Sequence, residues 1–199
     1  MEGPDGSGTS KHSSLLANRL ILNGYDVILT AEPTDGSIGA TIRTLLKGEK
    51  TLSPETLQLL FCADRAEHVN KIIQPALNSG KIVISDRYSL STIVYGSALG
   101  IDEKWLSSVN NYFIKPDLTF ITLPPFEVGM ERIHRRPEND HFENVPFQKI
   151  VYEEYAKHSS EKSIIVDTSG GKEDVAKEVT NHVLKSFPDL YLPKDLKDY

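Results

Sequence analysis

Gly3-Pro4-Asp5-Gly6-Ser7-Gly8-Thr9-Ser10 is the stretch that decides the fold of this chain. Its glycine spacing is typical of a phosphate-binding loop (P-loop), whose backbone N–H groups turn toward an anion at the positive end of the following helix. Such a loop also uses a lysine, which reaches the β- and γ-phosphates, and a Ser or Thr that binds Mg²⁺. Thr9 stands where the lysine is expected, and Ser10 supplies the hydroxyl. The stretch therefore predicts a polyphosphate site without its usual cation.

Two further features of this region depart from a standard P-loop. Lys11 lies two positions after Thr9, and two helical residues rotate about 200° around the axis, so we expect its ammonium to point away from the phosphates. Only Met1 and Glu2 precede Gly3, whereas a P-loop normally follows a buried parallel strand. We expect either that the chain is truncated upstream or that this first strand is missing from its sheet.

The composition indicates a soluble globular protein, which we predict to be a single domain over residues 1–199. Charged residues make up 25% of the chain and hydrophobic residues 39%. The net charge of -6 argues against a general nucleic-acid surface. Cys62 is the only cysteine, which excludes internal disulfides and fits a reducing compartment. No apolar run is long enough to span a membrane, and the N-terminus does not resemble a signal peptide. We therefore expect a cytoplasmic protein without membrane or nucleic-acid partners.

Short, unbroken apolar runs alternate with helical patterns along the chain. The runs are Val27-Ile28-Leu29, Ile82-Val83-Ile84, Leu118-Thr119-Phe120-Ile121 and Ile164-Ile165-Val166. Such runs are typical of strands that are buried on both faces. Helices are predicted over residues 10–23, ended by Gly24, and over residues 54–79. The alternation predicts an α/β fold of the P-loop NTPase type, in which helices cover both faces of a parallel sheet in three α/β/α layers.

Polar residues follow two of these predicted strands. Glu32-Pro33-Thr34 comes after the first apolar run, and Asp86-Arg87-Tyr88 comes after the second. Ligands in parallel sheets bind at the carboxyl ends of the strands, so this placement favours an enzyme that acts on phosphates. Arg132, Arg135 and Arg136 precede a Pro-Glu-Asn-Asp turn, and we predict a mobile, arginine-bearing lid over residues 132–143.

Five motifs in register resemble the thymidylate kinase family of the P-loop nucleoside monophosphate kinase superfamily. They are residues 2–8, Glu32-Pro33-Thr34, Phe61-Cys62-Ala63-Asp64-Arg65, Asp86-Arg87-Tyr88 with Ser91 and Tyr95, and Lys115-Pro116-Asp117-Leu118-Thr119. The likeness extends from Glu2 to about Leu184. It implies transfer of the γ-phosphoryl group of ATP to dTMP, giving dTDP and ADP, with Mg²⁺ bridging the phosphates. It also implies a homodimer, for which the helix over residues 54–79 is a plausible surface.

The resemblance assigns the ATP site to the P-loop residues, which are Gly3, Pro4, Asp5, Gly6, Ser7, Gly8, Thr9 and Ser10. Ser10 and Asp86 would serve the metal. The catalytic residues it implies are Asp86, Arg87 and the lid arginines Arg132, Arg135 and Arg136. Of the lid arginines, Arg135 is additional to the family pattern. Phosphoryl transfer needs positioned cations more than covalent help, which is the reason for so many arginines.

The resemblance also implies an acceptor site for dTMP. In that site Phe61 would stack on thymine, Arg65 would donate to a base oxygen, Arg87 would hold the phosphate, and Tyr95 would crowd the sugar 2′ position. Asp5 would lie near the acceptor sugar. Arg43 either reaches the acceptor phosphate or is a surface arginine. The implied dTMP-binding residues are Asp5, Glu32, Pro33, Arg43, Phe61, Arg65, Arg87, Ser91 and Tyr95.

The chain departs from the family pattern at four functional positions: Thr9 replaces lysine, Ala31 and His141 replace arginines, and Gly96 replaces a glutamine. Three of these changes remove a cation. Two outcomes stay open: Arg135 supplies the missing charge in a working kinase, or the chain binds nucleotides but transfers poorly. A kinase for another monophosphate, such as dUMP, and a nucleotide-binding regulatory subunit are the alternatives. If His141 serves the lid, activity per bound ATP should rise as the pH falls toward 6; otherwise it is an exposed histidine without consequence.

Overall fold

The computed structural model describes residues 1–48, 52–135 and 142–190. Its elements are α1 (Thr9–Leu22), β1 (Val27–Ala31), α2 (Ser37–Lys47), α3 (Pro54–His68), α4 (Gln74–Asn78), β2 (Ile82–Asp86), α5 (Ser89–Ala98), α6 (Glu103–Asn110), β3 (Thr119–Thr122), α7 (Phe126–His134), α8 (Val145–Ala156), β4 (Ser163–Val166) and α9 (Lys172–Ser186). The predicted strands and the first helix are confirmed to within two residues at each end. Arg136 and His141 lie outside the described residues. Within the described ranges, no helix has both the length and the apolar character that crossing a bilayer requires.

Two neighbouring residues of β3 show how the layers form. Successive side chains of a strand point to opposite faces, and here Phe120 packs in a core with Leu16 of α1 and Val179 of α9. Ile121 packs in a second core on the other face, with Val94 of α5 and Val151 of α8. The sheet therefore lies between two helical layers, which confirms the predicted α/β/α architecture.

The strands pair in parallel as β1 with β2 and as β3 with β4. The register places Ala31 opposite Asp86, so the chain leaves β1 and β2 at the same edge of the sheet. The motifs that follow these two strands are thereby brought side by side, as the sequence predicted.

Met1 and Glu2 join the two strand pairs. The amino group of Met1 donates to the carbonyl of Ser85 in β2 at 2.7 Å, and the N–H of Glu2 donates to the carbonyl of Phe120 in β3 at 2.7 Å. Met1 and Glu2 thus lie where the first strand was expected, between β2 and β3. Beside them, between β2 and β3, lies a groove of about 550 Å³ with many apolar side chains along it, including Leu20 and Ile82.

The prediction that all strands are buried on both faces is wrong for β1. Leu29 is 45% exposed and lines an open surface pocket between β1, α2 and α3. Among the described residues β1 pairs only with β2, so it forms an edge of the sheet that the helices cover incompletely.

The helix predicted over residues 54–79 is not uniform. Its middle turn, Val69–Ile73, is π-helical and connects α3 to α4. Pro75 follows in the first turn of α4, and it has no N–H to donate to a carbonyl four residues earlier. Pro75 therefore lies where the hydrogen bonding changes from the wider π turn back to the α-helix, so the missing N–H falls at this change of register.

Candidate active site

Residues 3–8 form a tight loop that leads into α1. Gly6 has φ 74°, a left-handed conformation, and a Cβ on it would lie 2.2 Å from the carbonyl oxygen of Gly129 in α7. Only glycine fits there, because both the conformation and the close backbone approach exclude a side chain. The hydroxyl of Ser7 is hydrogen-bonded to that of Thr122 at 2.8 Å, which ties the loop to the end of β3. The loop thus presents the N-terminus of α1 toward a potential anion.

Because the loop lacks its usual lysine, any positive charge beside it must come from other residues. Thr9 begins α1 and is buried, and Lys11 is exposed, as the sequence predicted. The guanidinium of Arg132, from α7, lies on the loop: it donates to the carbonyl of Gly6 at 3.4 Å and to that of Thr168 at 2.8 Å. Arg132 therefore brings a positive charge to the edge of the phosphate loop.

Two other basic groups near this loop do not replace the lysine in this conformation. Arg135 is 74% exposed and pairs with Glu131 of its own helix, away from the loop. Burial, together with the positive charge of Arg132, lowers the pKa of His12, so that this imidazole is neutral at pH 7. The role predicted for Arg135 stays a prediction.

Ser10 and Asp86 meet at the start of α1. The hydroxyl of Ser10 donates to one carboxylate oxygen of Asp86, and the other carboxylate oxygen is buried without a partner in the described part of the chain. Oxygen donors beside a phosphate loop suit Mg²⁺, which takes one or two protein ligands together with water and phosphate oxygens. No group of three or more metal-ligating side chains occurs among the described residues, which is compatible with such a sparse site.

A cavity of about 140 Å³ lies next to the phosphate loop. It brings together eight of the nine predicted dTMP-binding residues: Asp5, Glu32, Pro33, Phe61, Arg65, Arg87, Ser91 and Tyr95. The ninth, Arg43, does not line it. Instead, the guanidinium of Arg43 donates to the carbonyls of Pro33 and Thr34 at 2.8 and 2.7 Å, so its predicted contact with a phosphate stays a prediction.

Arg87 and Asp5 connect the cavity to the loop. Nη2 of Arg87 donates to Oδ1 of Asp5 at 2.5 Å, and Tyr95 donates to Oδ2 of Asp5 at 2.9 Å. Burial, and then the negative charge of Asp5, raise the pKa of Tyr95 well above its usual value, so its phenol stays a donor. Arg87 itself has φ 65°, which is rare for a residue with a side chain and is characteristic of functional sites.

Glu32 and Arg65 form a buried ion pair. Arg65 donates through Nε and Nη2 to one oxygen of Glu32 at 3.0 and 2.7 Å, and the other oxygen bonds to His68 at 2.9 Å. Arg65 also donates to Asn110 and Thr92. Four of its five N–H groups are used in this way, which leaves one on Nη1 without a partner among the described residues. Since both oxygens of Glu32 are engaged, its carboxylate orients Arg65 rather than facing the cavity unpaired.

Sequence reasoning missed several residues that hold the site in place. The amide of Gln148, on α8, donates to Oδ2 of Asp5 at 2.8 Å, and the hydroxyl of Tyr155 is bonded to that of Ser91 at 2.9 Å. The hydroxyl of Thr168 donates to the carbonyl of Ser7 at 2.6 Å. Each acts through another residue, and the only sequence signal was a polar group on an otherwise apolar helix face or just after a strand.

Comparisons with known proteins identify the family of the chain. The family model described as thymidylate kinase matches residues 1–179. The "probable thymidylate kinase" of Thermococcus gammatolerans is 41% identical over 194 residues, covering 92% of this chain and 93% of the relative. That of Thermococcus kodakarensis is 43% identical over 166 residues, with 79% and 81% covered. The "thymidylate kinase" of Desulfotalea psychrophila is 44% identical over 144 residues, or 71% of each chain. The match of the family model over residues 1–179 and the 41–44% identity of these relatives show that the chain belongs to the thymidylate kinase family.

Proposed function

We propose that the protein transfers the γ-phosphoryl group of ATP to the 5′-phosphate of dTMP, giving ADP and dTDP. The observation that supports this most directly is the position of Asp5. It belongs to the phosphate loop and also lines the acceptor cavity, where it pairs with Arg87. ATP held by the loop and dTMP held by Arg87 would therefore lie on either side of Asp5. Phosphoryl transfer needs this proximity of its two substrates.

The donor side uses the backbone and few charges. The N–H groups of the loop and the N-terminus of α1 would bind the phosphates of ATP, and Arg132 would face them from the rim. Ser10 and Asp86 would hold Mg²⁺, which neutralises charge on the phosphates when it is bound. Arg135 and Arg136 would add positive charge from the lid over residues 132–143.

On the acceptor side each side chain has a separate task. Arg87 would bind the monophosphate through two N–H groups, which is the arrangement a planar guanidinium favours. Phe61, which is half-buried in the cavity wall, would stack on the base. Arg65 would donate its remaining N–H to a base oxygen. Tyr95, held by Asp5, would occupy the space of a 2′-hydroxyl and so favour deoxyribose.

A nucleotide-binding protein with poor transfer is the second candidate function, and Thr9 is the observation that favours it. A single cation at a transferring phosphoryl group contributes about 10³-fold or more to turnover. The acceptor residues Phe61, Arg65, Arg87 and Tyr95 nevertheless lie together around one cavity, and we therefore favour the kinase.

The proposal also covers the oligomeric state of the protein and its location in the cell. We propose a homodimer in the cytoplasm, formed through α3, where Leu59 is 47% exposed. Sedimentation of the protein, compared with that of Leu59→Lys, tests the dimer. A variant that sediments like the unchanged protein would argue against this surface.

The experiment that tests the function is an assay of ADP formation with ATP, Mg²⁺ and each monophosphate in turn. We expect dTMP to stimulate ADP formation most, followed by dUMP. Saturable dTMP binding without any turnover would support the second candidate instead. In that case Thr9→Lys should restore transfer, whereas a loss of existing activity in Thr9→Lys would mean that the site is built around threonine.

A further inference from the structure

Gln58 is an unexplained polar residue in the wall of the acceptor cavity. Its side chain is 1% exposed, and neither the oxygen nor the nitrogen of its amide has a hydrogen-bond partner within the described part of the chain. Burying both polar atoms of an amide without partners costs free energy. A native protein rarely keeps such a group without a reason, and a ligand that completes its hydrogen bonds is one such reason.

The helix α3 aligns Gln58 with the residues assigned to the base. Phe61 follows Gln58 by three positions and Arg65 follows it by seven, so the three side chains share one face of the helix. All three line the same cavity. A base that stacks on Phe61 and accepts from the remaining N–H of Arg65 would therefore lie against the same wall of the cavity as Gln58.

Gly96 lies beside Gln58 and Leu106. A Cβ on Gly96 would lie 2.7 Å from a methyl group of Leu106 and 3.3 Å from Cγ of Gln58. A side chain at position 96 would therefore require both neighbours to shift. The glutamine that the family pattern places at position 96 is absent here, and Gln58 supplies an amide from α3 next to that position.

We infer that Gln58 reads the edge of the acceptor base and selects a 2,4-dioxopyrimidine over a 4-aminopyrimidine. The inference rests on the proposed acceptor site. The amide offers one acceptor and one pair of donors, which match the N3–H of thymine and one adjacent carbonyl. Two such bonds would satisfy both orphaned atoms of Gln58 at once.

Arg65 determines which base the amide of Gln58 can bind. An amide alone can turn over and bind the N3 and amino group of cytosine equally well, but a guanidinium only donates. The buried pair with Glu32 holds Arg65 in one orientation, and the remaining N–H on Nη1 is the one that would donate to a base carbonyl. A 4-amino group in that position would set donor against donor and hold cytosine away from the position in which Gln58 can bond to it. The bonds of Gln58 are therefore made with thymine alone, and their loss reduces the preference for dTMP.

Equilibrium binding of dTMP and dCMP, measured by calorimetry without ATP, tests the inference independently of turnover. In Gln58→Met, which keeps the side-chain length, dTMP affinity should fall about 10- to 100-fold. The preference for dTMP over dCMP should shrink by a similar factor. Gln74→Met, an exposed glutamine in α4, is the matched control and should change neither value. Removal of an unsatisfied amide should also leave the melting temperature unchanged or raised.

A second ligand tests the contact without relying on a variant. A methyl group on N3 of dTMP removes the N3–H, so N3-methyl-dTMP should bind the unchanged protein at least about 10-fold more weakly than dTMP. In Gln58→Met this penalty should be smaller, because the methyl group then meets an apolar side chain.

Three results would overturn the inference. One is an unchanged preference for dTMP over dCMP in Gln58→Met, with or without a loss of stability, since that would assign Gln58 a structural role. Another is equal binding of dTMP and N3-methyl-dTMP by the unchanged protein. Failure of the unchanged protein to bind dTMP at all would overturn the acceptor site as well, so the two proposals fail in distinguishable ways.

Discussion

Arg87, at the end of β2, donates a hydrogen bond of 2.5 Å to Asp5 in the phosphate loop. This contact joins the two binding regions, because Arg87 also donates to the carbonyl of Gly3 at 2.8 Å. A guanidinium has five N–H groups in a fixed plane, so it can keep these contacts and still bind a phosphate. In the proposed function, the pair would therefore hold Arg87 in place before a nucleotide binds.

Arg87→Lys should impair dTMP binding most. A lysine is a point charge that cannot serve Asp5, Gly3 and a phosphate together, and we expect the KM for dTMP to rise about 30- to 100-fold, or about 2–3 kcal/mol. Steady-state kinetics with dTMP varied at saturating ATP measure this. Arg43→Lys is the control, since Arg43 does not line the cavity. An equal rise in Arg43→Lys would mean that both arginines bind the acceptor phosphate.

Arg132→Ala should lower kcat by about 10² to 10³, because it removes a cation from the edge of the phosphate loop. Arg135→Ala removes the same charge from the exposed end of α7, where it pairs with Glu131, and should change kcat only a few-fold. The kcat of each variant, measured at saturating ATP and dTMP, shows which arginine matters more for turnover. If Arg135→Ala is the more damaging variant, the lid rearranges on binding and Arg135 is the substitute for the missing lysine.

Glu32→Gln should destabilise the fold by about 3–5 kcal/mol, because it leaves the buried guanidinium of Arg65 without a counter-charge. Glu67→Gln, which breaks the exposed pair of Glu67 with Lys71, should cost less than about 1 kcal/mol. Urea unfolding at pH 7 gives both values. Similar midpoints for the two variants would show that the charge of Glu32 contributes little to stability.

Tyr88 should make the protein sensitive to alkaline pH. Burial and then the negative charge of Glu32 raise the pKa of Tyr88 to about 12, whereas an unfolded tyrosine ionises near pH 10. The folded state therefore keeps the proton of Tyr88 to higher pH. The part of the free energy of unfolding that Tyr88 contributes is constant below about pH 10 and falls as the pH rises toward 12.

Tyr88→Phe should reduce that fall, and it removes a hydroxyl that is buried without a partner in the described part of the chain. Urea midpoints at pH 8 and pH 11 measure the effect. Tyr112, which is 87% exposed, provides the control variant Tyr112→Phe. The same loss of midpoint in all three proteins would exclude Tyr88 as the source.

Hydrogen exchange should reveal the groove between β2 and β3. The N–H of Ile82 faces β1 and that of Thr119 faces β4, so by the alternation of a parallel ladder the N–H groups of Ser85 and Phe120 face the groove. We expect these two amides to exchange at least about 10-fold faster than those of Ile84 and Ile121, which face paired strands. Equal protection would mean that another segment covers the groove.

The sequence predicted the parts of the fold that follow from local pattern. The apolar runs at residues 27–29 and 82–84 and the glycines of the loop each depend on neighbours in the chain, so their elements and the shared edge of the sheet were predictable. Partners from distant elements were not. Gln148 donates to Asp5 across 143 positions, and the bonds of Arg65 and His68 to the two oxygens of Glu32 also come from a distant element.

The π turn and the exposed face of β1 escaped prediction for a related reason. Periodicity reports that a helix or strand exists, but not that Pro75 shifts the hydrogen bonding or that one strand lies at the edge. The nearness of Gln58 to Gly96 was equally hidden, because the 3.3 Å between Cγ of Gln58 and the place of a Cβ on Gly96 joins two different helices.

The two-residue junction in the sheet has a consequence for turnover. Arg132 and Thr168 are attached to the half of the molecule built on β3 and β4, whereas Arg87 belongs to the half built on β1 and β2. Met1 and Glu2 join these halves within the sheet through their backbone hydrogen bonds. They can therefore affect how the two halves are held together without contacting a nucleotide. This junction acts together with the Ser7–Thr122 and Gln148–Asp5 contacts, so a change that loosened it would alter the distance between the two substrates while leaving every binding side chain in place.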